Sequence, residues 1–382
     1  MVAGVSLSEE SNTADAVAAV TSDLFTRGHL ENVAAALCWV TPHHADHIEA
    51  LVSALRMRLG TTNFAGCVAA GVIATDREVV GSPAIALMVF SDTDVSRYSV
   101  NLGLDMKADP AVAVETALGD AGPDDLVFMM AAADSFDSHD FMDALQMTPA
   151  TVLGGGAGNP TGPDIVFSGQ GSHSDATVTL RIANCAPVAS LTHACRPISP
   201  LLKITGCVGR LLTELGGRPA MEVLREILNP GETRGGLSRT GQLMVGLAPT
   251  AAGDQLVRGE YMVRSLVGIA PDNGALLVDD LLRPGMGLVF VTREAEACRS
   301  DLSLMMLELE GQIRHAPPKF ALVANCIGRG PALHDIPDYE ASVIGAYLGG
   351  VPTAGFFGSF EFGPLQGPPQ LHYYTAVLGL GS

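Results

Sequence analysis

Three stretches of the chain repeat one hydrophobic layout. In the first, an apolar run at residues 35–40 predicts a buried strand. A helix is expected over residues 44–59, because Ile48, Leu51, Val52, Leu55 and Leu59 recur at helical spacing on one face. Thr41 and Pro42 start it as cap and first-turn proline. A glycine loop at 65–71 and a strand at 84–90 complete this copy. The second copy has a strand at 126–131, a short helix around 137–147, a glycine loop at 154–158 and a strand at 176–183. The third has a strand at 320–326, a helix near 338–348, a glycine-studded loop at 350–364 and a last apolar run at 372–380. The copies share spacing but few side chains, and the pattern predicts internal structural repeats.

Between residues 181 and 319 the layout changes. Residues 219–228 read as a short amphipathic helix stopped by Asn229-Pro230-Gly231. Strands are expected at 263–269, 275–278 and 287–293, separated by turns at Pro271-Asp272-Asn273-Gly274 and Arg283-Pro284-Gly285. This stretch reads as a hairpin-rich insert or as the opening of a second domain. The fold class expected is α/β: two domains, 1–190 and 191–382, of mixed β-sheets flanked by helices.

Composition narrows the function. Of 382 residues, 47% are apolar and 16% charged, which supplies large cores and argues against extended disorder. The 22 basic and 41 acidic residues give a net charge of −19, which repels nucleic acid and anionic membrane surfaces. No apolar run approaches the roughly 18 residues that span a bilayer. The seven cysteines are scattered, without CxxC spacing, as in a reduced, cytoplasmic protein. The N-terminus lacks the basic start and apolar block of a secretory signal. The apolar content leaves room for a dimer, and the acidic face for a basic protein partner.

Candidate chemistry gathers on the glycine segments. Arg329, between Gly328 and Gly330, is a fixed donor fork for a carboxylate or phosphate, or one half of an ion pair with Glu361 or Glu340. Glu361 lies between Phe360 and Phe362. It is either desolvated, with a raised pKa suited to proton transfer or amine binding, or turned to water by strand alternation. Cys326, at a strand end beside Arg329, is either a reactive thiolate or a small buried apolar residue. Cys67 sits where Phe356 sits in the third copy, and with Gly355 it either lines a cleft or packs a tight turn. Gly155, within Gly154-Gly155-Gly156, could cradle an anion, but GxGxxG and Walker spacing are absent, so no nucleotide or other cofactor is expected. His43 and His47 are four apart on one expected helical face, yet no third ligand is evident, so no metal site is assigned. No Ser-His-Asp order, GxSxG or HExxH appears. Whether the chain is an enzyme stays open, with Cys326, Cys67 and Glu361 as the catalytic candidates.

Several segments together resemble the FIST (F-box and intracellular signal transduction) family. Phe64-Ala65-Gly66-Cys67, Gly71-Val72-Ile73, Arg77-Glu78-Val79-Val80-Gly81 and Leu153-Gly154-Gly155 look like its N region. Cys195-Arg196-Pro197-Ile198, Gly217-Arg218-Pro219-Ala220, Cys326-Ile327-Gly328-Arg329-Gly330 and Glu361-Phe362-Gly363-Pro364 look like its C region. The resemblance covers most of the chain. It implies a sensory domain for small ligands, often linked to signalling modules in bacteria; an animal relative carries an F-box and serves a ubiquitin ligase. This chain shows no F-box, kinase or other output module. Some bacterial FIST proteins resemble haem-based gas sensors, which would make His193 the histidine to test. The expected ligand is polar, an amino acid or organic acid, its acid on Arg329, its amine on Glu361 and the backbone of 355–358 closing over the rest.

Overall fold

The computed structural model describes residues 1–132, 138–228, 243–249, 261–270, 274–314, 316–365 and 367–382. The chain divides into two compact units. One comprises Met1–Leu191 with Ser303–Ser382, the other Thr192–Leu302.

The first unit is built from three rounds of one element order. Round one is β1 (Val2–Ser8), α1 (Thr13–Thr26), β2 (Val33–Val40), α2 (Ile48–Leu59), β3 (Phe64–Val68), the hairpin β4 (Gly71–Ala74) and β5 (Arg77–Val80), then β6 (Ile85–Ser91). Round two is β7 (Tyr98–Leu104), α3 (Pro110–Leu118), β8 (Leu126–Ala131), α4 (Ser138–Leu145), β9 (Thr151–Gly156), the hairpin β10 (Val166–Ser168) and β11 (Gly171–His173), then β12 (Ala176–Ile182). Round three begins at β13 (Val188–His193). The second unit then supplies β14 (Cys195–Pro197), β15 (Leu202–Val208), β16 (Leu211–Leu215), β17 (Arg218–Pro219), α5 (Ala220–Ile227), β18 (Leu243–Ala248), β19 (Met262–Ile269), β20 (Leu276–Val278) and β21 (Gly287–Arg293). Round three resumes with α6 (Ala295–Ile313), β22 (Phe320–Cys326), α7 (Pro331–His334), α8 (Tyr339–Leu348), β23 (Thr353–Gly358), the hairpin β24 (Glu361–Pro364) and β25 (Pro369–His372), then β26 (Thr375–Gly381).

Each round contributes to a six-stranded sheet, and the three sheets have the same plan: β1-β6-β2-β3-β10-β11, β7-β12-β8-β9-β24-β25 and β13-β26-β22-β23-β4-β5. The central pairs β2–β3, β8–β9 and β22–β23 are parallel. The hairpins are exchanged in a cycle. That of round one extends the third sheet, that of round two the first, and that of round three the second. No round completes its own sheet, so the three depend on one another for burial.

The sheets share an apolar core whose centre holds one large ring from each. Trp39, Phe128 and Phe356 lie 5.6, 6.4 and 6.1 Å apart, pair by pair, with edge-on and stacked contacts that favour aromatic pairs. Helices cover the outer faces: α1 and α2 bury Val17, Val20, Leu51 and Leu55 against the first sheet, and α3 and α4 bury Val114 and Phe141 against the second. Strands covered on both faces need continuous apolar runs, and every residue of β8 and β22 is buried. Local signals set the helix limits. The Asn12 side chain accepts from the N–H groups of Ala14 and Asp15 at the start of α1, and Gly60, at φ 68°, ends α2.

The glycine segments expected as loops lie largely in strands, and close packing explains them. Gly66, Gly154 and Gly355 take the same place in β3, β9 and β23. A Cβ there would lie 2.1 Å from the Cys38 carbonyl oxygen, 1.8 Å from that of Met129 and 1.9 Å from that of Val323. This recurring glycine is a side-chain signature of the threefold repeat.

In the second unit β21, β15, β16, β20, β19 and β18 pair in order, and β18 pairs back with β21, closing a six-stranded barrel. Ile204, Leu212, Val245, Leu276 and Phe290 fill it, and α5 adds Val223 and Leu224. The expected strands at 263–269, 275–278 and 287–293 correspond to β19, β20 and β21, and the expected helix to α5. The stop Asn229-Pro230-Gly231, Pro271-Asp272-Asn273 of one turn, and the start of the helix expected at 137 lie outside the described residues. Contacts divide the chain after Leu191. The expectation of a second domain running to 382 is corrected, because 303–382 return to complete the third round of the first unit.

Candidate functional site

The end of β22 and the turn after it bring together a buried polar cluster. Asn325 and Cys326 are the last residues of β22, and the Arg329 N–H donates to the Cys326 carbonyl at 2.9 Å, folding the chain back. Gly330, at φ 63°, admits the turn into α7, and His334 and Glu340 follow on α7 and α8. Arg329, His334 and Glu340 are each 1% exposed.

Glu340 is the hub. Arg329 Nε donates to its Oε1 at 3.0 Å and lies 3.3 Å from Oε2; His334 Nε2 lies 2.7 Å from Oε1; Asn325 Nδ2 donates to Oε2 at 2.9 Å. Burial alone would raise the Glu340 pKa, but the Arg329 charge and the His334 contact outweigh it and hold it at about 2. Of the partners that the sequence offered Arg329, Glu340 makes the ion pair.

Glu361 is the second carboxyl of the cluster and is wholly buried. Its Oε2 lies 3.4 Å from the Thr375 N–H, while Oε1 meets no hydrogen-bond donor among the described residues. Burial pushes its pKa well above the ordinary value, against the pull of Thr375, Arg329 and Cys326. Phe360 and Phe362 beside it are buried too, so alternation does not turn Glu361 to water.

The three rounds give an internal comparison. At matching ladder positions Trp39 faces Cys67, Met130 faces Gly155, and Ala324 faces Phe356. On the exchanged hairpins Cys67 is opposite Val166, Phe356 opposite Val72, and Gly155 opposite Glu361. Val72 and Val166 belong to the central apolar core. Glu361 therefore takes a place that the fold twice fills with valine. Asn325 likewise stands where Val40 and Ala131 stand, both within apolar clusters. The polar cluster is specific to the third round and is not required by the architecture.

The remaining candidates are placed as follows. Gly328 lies in the turn between Cys326 and Arg329. Cys67 and Phe356 are fully buried in the central core, and a Cβ on Gly155 or Gly355 would run into backbone oxygens at 2.2 and 1.9 Å. These four build the ladders and core behind Glu361; the expectations that Cys67 and Gly355 line a cleft and that Gly155 cradles an anion are corrected, because their own surroundings leave them no open face. The thiolate reading of Cys326 and Cys67 is corrected as well. Burial raises both thiols, helped by Glu361 at Cys326 and by Asp164 at Cys67, so both are protonated at neutral pH. Only Cys207 of the seven cysteines is partly exposed. Iodoacetamide should modify Cys207 first in the native protein, with Cys326 and Cys67 reacting only on unfolding; peptide mass spectrometry showing rapid labelling of Cys326 would contradict this assignment.

The histidines do not form the expected pair. Residues Pro42–His47 are a 3₁₀ helix, whose tighter turn takes His43 and His47 off a shared α-helical face, and both are exposed. His44 is the buried one, 3.0 Å from Thr13 Oγ1, and burial with His43 and His47 nearby lowers its pKa to about 4. His193 is buried and its ring stacks on Tyr261 at 4.4 Å, while its backbone N–H donates to Asp301 Oδ2 at 2.7 Å. In the sequence His334 and Asn325 do not stand out, and Glu78 enters only within the Arg77–Gly81 motif. The one signal able to find Asn325 is the register of the recurring glycines.

A mixed-sheet α/β protein with a sealed ionic cluster at one strand end is the class this architecture defines. Among the described residues no helix is long and apolar enough to cross a membrane. Models of the FIST N domain and the FIST C domain match residues 34–218 and 220–364, so the chain belongs to the FIST family. The border between them falls inside the second unit, at Pro219 on the end of β17. An uncharacterised protein of Mycobacterium tuberculosis is 29% identical over 344 residues, covering 88% of each chain. One of Mycobacterium bovis is 28% identical over 349 residues, covering 88% of this chain and 87% of its own. FIST domains are generally proposed to be small-ligand sensory domains in signalling.

Proposed function

We propose that this chain is a cytoplasmic sensory protein whose small polar ligand, amino-acid-like or an organic acid, docks on the third-round cluster and changes the protein's association with a partner. The supporting observation is the contrast between Glu361 and its counterparts Val72 and Val166. A buried carboxyl with an idle oxygen costs about 1–3 kcal/mol where valine fits, and a ligand offsets that cost. In this account Arg329 and Glu340 hold the ligand's polar head, and Glu361 answers the charge it brings. An ammonium group entering beside Glu361 lowers its raised pKa, since opposite charges at contact favour the charged form.

The test is titration calorimetry with amino acids and organic acids at pH 7, in two buffers of different ionisation enthalpy. An amine-bearing ligand should bind with net proton release, because burial raises the Glu361 pKa and the incoming positive charge lowers it again. An organic acid that binds through Arg329 releases none. Silence from the whole panel at millimolar concentration refutes the reading.

A further inference from the structure

We propose that Glu78 and α8 form a proton-responsive clamp, which sets how firmly Glu340 is held within the buried cluster. Glu78 lies on β5, in the hairpin that round one lends to the third sheet. Its Oε1 accepts a 2.8 Å hydrogen bond from the N–H of Ala341, the third residue of α8. Its own N–H donates at 2.7 Å to Asp338 Oδ1, the residue before that helix. The two segments thus cap each other reciprocally, in the manner of a capping box made from separate parts of the chain. Asp338 is held at φ 58°, so the helix start is not a relaxed local turn.

The charges around Glu78 are mixed. From the α8 end Asp338 and Glu340 face it; on its own strand Arg77 pairs with Asp338 at 3.3 Å and with Glu9, from the segment after β1, at 2.9 Å. The helix N–H groups favour an ionised carboxyl there, while burial and the two neighbouring carboxylates oppose it. Burial and then, against the Ala341 hydrogen bond, the carboxylates of Glu340 and Asp338 bring Glu78 up to about 7. Glu340 is the second residue of α8 and holds Arg329, so a loosened first turn moves the hub of the cluster.

The sign follows from linkage. Closed, Glu78 titrates near 7; opened to water, it returns to the ordinary 4.5. A carboxyl that binds its proton more tightly in the closed form favours opening as pH rises through that interval. The opening equilibrium of the first turn of α8 should rise about tenfold between pH 6 and pH 8. The clamp stands on its own contacts; its use as a gate for ligand rests on the reading above.

Hydrogen exchange of ligand-free protein, corrected for intrinsic rates, tests the clamp without any ligand. The wild type should lose about tenfold protection at Ala341 and Ser342 between pH 6 and pH 8, and Glu78→Gln should show no such loss. Unchanged protection in the wild type, or an equal loss in Glu78→Gln, overturns the proposal. If Glu78→Gln does not fold, carbon-detected titration of the Glu78 carboxyl in the wild type decides: a midpoint near 7 that falls in Glu340→Gln supports the clamp, and a midpoint near 4.5 ends it.

Discussion

Replacing Glu340 by glutamine should cost about 3–5 kcal/mol of stability at pH 7, the penalty expected when one partner of a buried ion pair is neutralised. Both Glu340 and Arg329 are 1% exposed, so water screens little of the loss. The glutamine keeps the shape and some hydrogen bonds to Asn325 and His334 but leaves the guanidinium facing a neutral amide. The pH dependence separates this from a packing defect. Glu340 is held at about 2 when folded, against an ordinary 4.5, so its contribution is complete above 4.5 and disappears as pH falls towards 2. Urea unfolding should therefore show a gap between wild type and Glu340→Gln that is full at pH 7 and narrows steadily below pH 4.5. A gap under about 0.5 kcal/mol at pH 7, within the range of ordinary surface substitutions, would mean that the cluster is not ionic.

Replacing Glu361 by valine should act in the opposite direction and stabilise the fold by about 1–3 kcal/mol at pH 7. Val72 and Val166 show that this ladder position accepts a valine side chain within the central core. The variant removes a carboxyl whose Oε1 has no donor among the described residues. The sign again comes from linkage. Glu361 has a raised folded pKa, so the wild type loses stability as pH climbs from 4.5 towards that value, and the variant lacks this slope. The advantage of Glu361→Val should thus grow with pH from about 4.5 upward. Glu78 imposes a slope of the same sign on both proteins, and it cancels in the difference. A residue that lowers stability where the fold offers an apolar alternative is the expected mark of function.

The sequence made the three rounds legible because their strands are buried on both faces and read as unbroken apolar runs. The stripe of Ile48, Leu51, Val52, Leu55 and Leu59 in α2 was equally plain, and all five are buried. The glycines misled. They normally mark turns, but Gly66, Gly154 and Gly355 mark the places where neighbouring backbone comes too close for a side chain. The hairpin exchange was illegible, since each hairpin pairs with a strand of another round and nothing local records it. The same holds for the insertion of the barrel between β13 and α6, which makes the last 80 residues part of the first unit. At the site, the Arg329–Glu340 pair was one of two partners visible nearby in sequence. The burial of Glu361 between two phenylalanines was undecidable by alternation, because β24 is buried on both faces. The His43–His47 spacing presumed an α-helix at a place where Pro42 starts a 3₁₀ turn instead.

The claim that the third-round cluster is kept for a ligand, at the expense of stability, is tested most directly by titrating whichever small molecule binds the wild type into Glu361→Val. The expected result is a folded variant that melts higher than the wild type and gives no binding heat. Undiminished affinity in that variant would contradict it.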